Sequence, residues 1–240
     1  MYKSIDKELF HVHTRRCEHA ENIDDEEYVK KAVELGARRI VFTDHVPFPG
    51  NPFGNRMSIE ELSEYVATIN ELKECYKEKI EILCGLEVEY LPSFNKYIQD
   101  LKEMKGIDLL ILGQHMYELP DKPMEWSFSL VDKSQEHKYL ARATIEGIST
   151  GYFDVIAHPD RVFKRVKVWT DECKYLASEI KSMAYRMQIP LERNFASMNR
   201  KNQYRSEFWV DIENATSVIE GIDAHSIKEI EKWVGQNESW

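Results

Sequence analysis

The chain has 240 residues, 42% hydrophobic and 31% charged, enough for one large α/β domain (residues 1–240) with a substantial core. Its formal net charge of -10 argues against a broad basic face for nucleic acid, because phosphate contacts supply most of that affinity. A small phosphorylated substrate stays admissible, since bound cations reverse the field inside a site.

The opening MYKSIDKELF has no long apolar stretch, and no later segment reaches the roughly 18 apolar residues of a membrane span. A cytoplasmic protein with no membrane partner is expected. Cys17, Cys75, Cys84 and Cys173 are scattered without a CxxC pair, which points away from a disulfide scaffold or a zinc ribbon. Cys17 reads as a buried thiol beside the histidines.

Short β-branched runs alternate with amphipathic stretches almost to the end of the chain. In order, the runs are ELFHVHT, RRIVFTDH, IEILCGLEVEY, DLLILGQH, FDVIAHPD, IPLERNFA and SVIEGIDAH. Between them the helical spacing recurs in DDEEYVKKAVELG, SIEELSEYVATINELKECYKEK, SFNKYIQDLKEMK, SQEHKYLARATIEGI and DECKYLASEIKSMAYRMQ. After the sixth run comes an irregular piece ending in a short FWVDIENAT helix, and after the seventh comes SIKEIEKWVGQ. Asp24, Ser58, Ser93, Ser134 and Asp171 stand where helix N-caps belong. Strict alternation implies a parallel sheet covered on both faces.

Seven of the eight histidines fall at or just after predicted strand ends, each beside a carboxylate or another histidine; only His137 lies elsewhere. The segments are HVHT (His11, His13), CEHA (His19), TDH (Asp44, His45), GLEVEY (Glu87, Glu89), GQH (His115), AHPD (His158, Asp160) and GIDAH (Asp223, His225). Imidazole and carboxylate suit divalent zinc, manganese and iron, and gathering so many costs stability unless a cation offsets their desolvation. Six of the seven strands deliver such a group at their C-terminal ends, so those ends must converge on one axis. An open sheet would concentrate function at one switch point. A distorted, TIM-like (β/α)7 barrel with its metal site at the C-terminal face is therefore expected. His11 and His13, two apart on a strand, should point to one side.

In this order, HxH, TDH, GLEVE, AHPD and GIDAH resemble the PHP family, named for polymerase and histidinol phosphatase. The resemblance runs from residue 8 to about residue 230. CEHA after the first strand, GLEVEY and the length look most like histidinol-phosphatases and their single-domain phosphoesterase relatives. It implies three metal ions: one held by His11, His13, Glu87 and Asp223, a second by Glu87 with His115 and His158, and a third by His19, His45 and His225. It also implies a phosphomonoester hydrolase, with L-histidinol phosphate of histidine biosynthesis as the leading substrate. Another small phosphate ester, or nucleotides and nucleic acid ends, is the alternative. Without a polymerase region, a proofreading module is disfavoured, and no strand-end lysine recommends an amide or lactone hydrolase.

Glu87 and Asp223 are expected to act in catalysis, and Asp160 is a candidate acid for the leaving alkoxide. Asp44 is expected to orient His45 without ligating, and Glu89 to sit behind the ligands. Arg161, Arg200 and Lys201 are candidate phosphate holders because guanidinium matches phosphate oxygens in a fork. The long connections after the second and fourth strands offer Tyr117, and less strongly Trp126, as substrate contacts. For a cationic aminoalcohol, Glu89, Glu192 or Asp160 is expected near the mouth of the pocket.

Overall fold

The protein is described from a computed structural model covering residues 2–210, 212, 217–237 and 240. Its strands are β1 (Glu8–Val12), β2 (Arg39–His45), β3 (Glu81–Val88), β4 (Leu109–Leu112), β5 (Val155–Ile156), β6 (Leu191–Asn194) and β7 (Val218–Gly221). The helices are α1 (Asp25–Glu34), α2 (Leu62–Tyr76), α3 (Asn95–Lys102), α4 (Glu136–Thr150), α5 (Asp171–Met187), α6 (Phe195–Asn199) and α7 (Ile227–Gln236). All seven strands belong to one sheet whose order follows the sequence, as a (β/α)7 barrel requires. The ladders β1–β2, β2–β3, β4–β5 and β5–β6 are parallel.

By contact density the chain forms two compact units. The first comprises residues 3–87, 103–110 and 220–240, and its core joins Phe10, Ile40, Phe42, Ile82 and Leu86 of the strands to Tyr28, Tyr65 and Ile69 of α1 and α2. Here the chain after β7 bonds back to β1: Ile222 N donates to Phe10 O (2.9 Å) and Ala224 N to His11 O (3.1 Å). The second unit is built mainly from residues 88–102 and 111–219. In it Ile111, Leu112, Val155, Ile156 and Leu191 pack with Leu140, Ile148 and Ile180 of α4 and α5.

Local chemistry moves several boundaries. Except for β2, which reaches His45, the strands stop short of the polar ends of their runs, and β5 keeps only two residues because His158 turns into a left-handed conformation and Pro159 opens a 3-10 turn. Ser58 caps as expected, in a capping box with Glu61, and Asp24 holds the cap position of α1 without a side-chain bond. Ser93 lies inside the 3-10 turn Pro92–Phe94, and Gln135 takes the cap position expected for Ser134. Thr170, not Asp171, caps α5 by accepting from Cys173 N; Asp171 falls in the first turn, where its charge still favours the helix dipole. Residues 195–199, expected to trail from a strand, form α6 because the Asn194 side chain accepts from Ser197 N and starts a turn. Of the expected FWVDIENAT helix, Phe208 and Trp209 belong to a 3-10 turn, Ser206–Trp209; residues 211 and 213–216 lie outside the described residues. No described helix is long and apolar enough to cross a membrane.

Two helical glycines separate packing from propensity. A Cβ at Gly147 of α4 would stand 2.9 Å from both Tyr90 Cβ and Leu112 Cδ2, whereas one at Gly235 of α7 meets nothing within 4 Å. Alanine is the better helix former by about 1 kcal/mol, but overpacking costs about 1–3 kcal/mol. Gly235→Ala therefore raises the urea midpoint and Gly147→Ala lowers it; shifts of the same sign in equilibrium unfolding would contradict the close approach of α4.

Candidate metal centre

The first unit gathers its polar groups by a backbone irregularity. β1 and β2 run in register from Glu8 against Arg39 to Phe10 against Val41, then slip so that Val12 faces Phe42. His11 is the extra residue, at φ 71, a left-handed conformation uncommon for a side chain of its size. The strand ends at Val12, so simple alternation does not orient His11 and His13; the bulge does, and it brings their ring centroids to 5.0 Å. Across the seam, His13 N donates to Ala224 O at 2.8 Å, and Asp223 is itself left-handed at φ 56.

Glu87, 1% exposed, lies opposite His45 in the β2–β3 ladder. Its Oε2 is 3.0 Å from His45 Nδ1 and 3.5 Å from both His11 Nε2 and His13 Nε2. Asp223 Oδ1 lies 3.4 Å from His13 Nε2 and 3.9 Å from His11 Nε2. The His225 ring stacks on His13 at 4.2 Å and sits 4.4 Å from His19, which is 5.7 Å from His45. Ligand atoms of His11, His13 and Asp223 lie within 4.8 Å of one another, as do those of His19, His45 and His225.

Burial holds His13 down to about 3, with His45 and His11 adding to the effect against Asp223 and Glu87. His225 is likewise pushed to about 3, by burial and then His13. Their Nε2 atoms are buried without a hydrogen-bond partner. Neutral imidazoles with inward lone pairs beside two carboxylates form a donor set that fits a divalent cation and little else.

Asp44 does not serve His45 as expected. Its Oδ1 accepts from Thr14 N (2.7 Å) and Cys17 Sγ (3.0 Å), and its Oδ2 from Thr14 Oγ1 (2.7 Å). Cys17 is fully buried, and its Sγ reaches His13 Nδ1 at 3.1 Å. Burial and then Asp44 raise the Cys17 thiol well above its ordinary value. His19 Nδ1 is 2.5 Å from Cys17 O and His225 Nδ1 is 3.1 Å from Asp223 O, so backbone carbonyls orient both rings.

In the second unit the His115 and His158 rings lie 5.0 Å apart. Glu89 Oε1 stands 3.2 Å from His115 Nδ1. His158, at φ 32, donates its amide to Glu192 Oε2, which also takes Asn194 Nδ2. Arg161 donates to Asn194 Oδ1 and, through Nε and Nη2, to Ser197 Oγ. Asp160 is fully buried, and its Oδ2 accepts from Arg205 N at 2.8 Å; burial lifts this carboxyl to about 6. Arg205, which no sequence motif marks, is pinned by the carbonyls of Phe163 and Val166.

Glu89, Glu192 and Asp160 are at most 1% exposed, each bonded to scaffold groups, so none stands at a pocket mouth as expected. Arg200 and Lys201 are exposed in the turn after α6. Tyr117 is buried and stacked on Tyr139 at 5.1 Å; it lines a cavity of about 580 Å³ whose wall contains none of the histidines. Trp126 stacks on Phe94 at 5.7 Å, a packing contact.

The two depressed imidazoles set a pH dependence. An unfolded chain protonates them near 6.5 and the fold only near 3, so between those values the unfolded state binds more protons and stability falls as pH falls. Each contributes a loss of about 2 kcal/mol between pH 6.5 and pH 5, at about 1.4 kcal/mol per unit. Chelator-treated protein should therefore melt several degrees lower at pH 5 than at pH 7.5 in scanning calorimetry; a flat profile would show that the rings are not buried neutral.

A histidinol-phosphatase of Bacillus subtilis is 32% identical over 113 residues, covering 44% of this chain and 42% of that protein. A protein of Deinococcus radiodurans named a probable histidinol-phosphatase is 30% identical over 159 residues, covering 62% and 59%. The chain thus matches less than two thirds of these relatives' length. A crystal structure of a candidate histidinol phosphatase from Listeria monocytogenes superposes with a TM-score of 0.74 at 19% identity, covering 93% of this chain and 97% of that one. A histidinol phosphate phosphatase of Lactococcus lactis, solved with zinc, L-histidinol and phosphate, gives 0.70 at 21% identity over 97% and 94%. The fold is therefore the distorted, TIM-like (β/α)7 barrel of these structures. The PHP domain model matches residues 10–194, the span that carries the bulged HVHT strand, TDH, GLEVEY and AHPD, and the chain belongs to the PHP domain family.

Proposed function

We propose that the chain is a cytoplasmic, metal-dependent phosphomonoester hydrolase, a histidinol-phosphatase releasing L-histidinol and phosphate, and that residues 1–240 act as one domain. The carrying observation is the set of buried imidazoles and carboxylates at the ends of β1, β2 and β3 and in the segment after β7, with His13 and His225 lone pairs left unsatisfied. The zinc, L-histidinol and phosphate of the Lactococcus lactis structure support the substrate.

Three divalent ions, zinc, manganese or iron, would be held by His11, His13, Glu87 and Asp223; by Glu87, His115 and His158; and by His19, His45 and His225. Bound cations supply a lowered pKa for water and a clamp on phosphate oxygens. The protein's own part is positioning. Glu89 fixes the His115 ring, Glu192 holds His158 in its left-handed turn, and Asn194 with Ser197 aims the Arg161 guanidinium, which we assign to a phosphate oxygen. Arg200, Lys201 and Tyr117 are secondary candidates for substrate contact. Asp160 is the candidate proton donor, with Oδ2 fixed by Arg205 N and the Trp209 side chain interacting with the carboxyl.

Protein purified without chelator should carry close to three transition-metal equivalents by elemental analysis. It should hydrolyse L-histidinol phosphate with kcat/KM about tenfold or more above glycerol phosphate and a nucleoside monophosphate, the field of an acidic chain favouring a cationic substrate by about 10-fold or more. Preference for the nucleotide would reject the substrate and keep the phosphoesterase; absence of metal uptake would reject both.

Asp160→Asn keeps an acceptor for Arg205 N but cannot deliver a proton. If Asp160 is the acid, kcat on L-histidinol phosphate falls about 100-fold or more, while an aryl phosphate, whose leaving group needs no proton, loses only a few-fold. Equal losses on both substrates would make Asp160 an anchor of the Arg205 segment alone.

A further inference from the structure

Four side chains behind His13 form a hydrogen-bond chain whose direction can be counted proton by proton. Thr14 Oγ1 accepts from Arg16 N (3.4 Å) and Arg16 Nη1 (3.3 Å), so its one hydroxyl proton goes to Asp44 Oδ2. Arg16 is in turn paired with buried Asp25. Asp44 Oδ1 takes Thr14 N–H and faces Cys17 Sγ at 3.0 Å. A neutral thiol has a single proton. With a carboxylate oxygen on one side and His13 Nδ1 at 3.1 Å on the other, that proton belongs on the carboxylate side, since charged acceptors form the stronger bond. The sulfur can then only accept, and His13 Nδ1 must donate.

We propose that Cys17 is a positioning residue: it relays Asp44 to His13, fixes the Nδ1–H tautomer and so presents the Nε2 lone pair to Glu87 and Asp223, where the proposed function places a cation. Asp44 cannot do this directly, because its Oδ1 is 3.9 Å from His13 Nδ1. The usual arrangement sets a carboxylate or carbonyl straight on the distal ring nitrogen, as Cys17 O does for His19 and Asp223 O for His225. At His13 a thiol is interposed. A serine at this place can make the same two bonds, one given and one accepted, whereas an alanine can make neither.

The test uses metal-free protein labelled with 15N-histidine, compared as wild type, Cys17→Ser and Cys17→Ala, with zinc affinity and a cobalt-substituted spectrum for each. Wild type and Cys17→Ser should show His13 protonated on Nδ1 and bind zinc within about threefold of each other. Cys17→Ala should lose that tautomer preference and bind zinc about 10- to 100-fold more weakly. A wild-type His13 protonated on Nε2 would overturn the proposal, as would a Cys17→Ala variant unchanged in tautomer and affinity. A sulfur-to-cobalt charge-transfer band in wild type would overturn it too, by making Cys17 a ligand. Should Cys17→Ala not fold, the wild-type tautomer and the serine variant still decide. An Nδ1–H ring in a protein that takes up no metal would uphold the relay while rejecting the metal reading.

Discussion

Glu87 Oε2 sits within 3.5 Å of the ring nitrogens of His11, His13 and His45, and much of the first unit follows from satisfying that one buried carboxylate. It is set among imidazoles, of which His13 is kept neutral by burial. Such a centre stores desolvation cost. The β2–β3 ladder sets His45 and Glu87 side by side, and the β1 seam delivers the other two rings. An arrangement of this kind is tolerated only where the surrounding core is stable enough to carry it, and Phe10, Phe42, Leu86 and Tyr65 at 0% exposure supply that core.

Three residues of the candidate centre also carry backbone strain. His11, Asp223 and His158 are all left-handed without being glycine, each at a cost of order 1–3 kcal/mol. Glycine would remove that strain and the side chain with it. Local hydrogen bonds hold the strained turns instead: Ile222 N to Phe10 O and Ala224 N to His11 O on either side of Asp223, His13 N to Ala224 O just beyond it, and the His158 amide to Glu192. A bulge at a strand end is a compact way to re-aim a side chain, and here it sets His11 of β1 and His13 just beyond the strand onto a common pair of carboxylates.

The alternation of β-branched runs and amphipathic stretches, and the histidines at their ends, were legible because periodicity and residue type are local properties. The His11 bulge was not: HVH reads as a strand-borne pair, and the slip depends on the seam formed with residues 222–224. Nor was the destination of Asp44. Adjacency in TDH pointed to His45, but successive strand side chains face opposite ways, which carries Asp44 to Thr14 and Cys17. The α6 helix was hidden because an N-cap asparagine at a strand end looks like strand until its side chain is seen to accept from Ser197 N. Arg205 carries no motif at all; its role exists only through the carbonyls of Phe163 and Val166 and the Asp160 carboxylate.

The acids of the second unit bear on how an alcohol could be chosen. Net charge -10 invites the idea of carboxylates waiting for a cationic leaving group, yet Glu89, Glu192 and Asp160 are already engaged with His115, the His158 amide and Arg205 N. A carboxylate that accepts such bonds while buried cannot turn to a ligand without stranding its partner, at a cost of about 1–3 kcal/mol for a neutral group. The net negative charge of the chain still acts through space on a cation approaching it. On the proposed reading, a preference for a protonated aminoalcohol over a neutral polyol would come from that field and not from direct contact with these acids, whose hydrogen bonds hold the His115 ring, the His158 turn and the Arg205 segment in place.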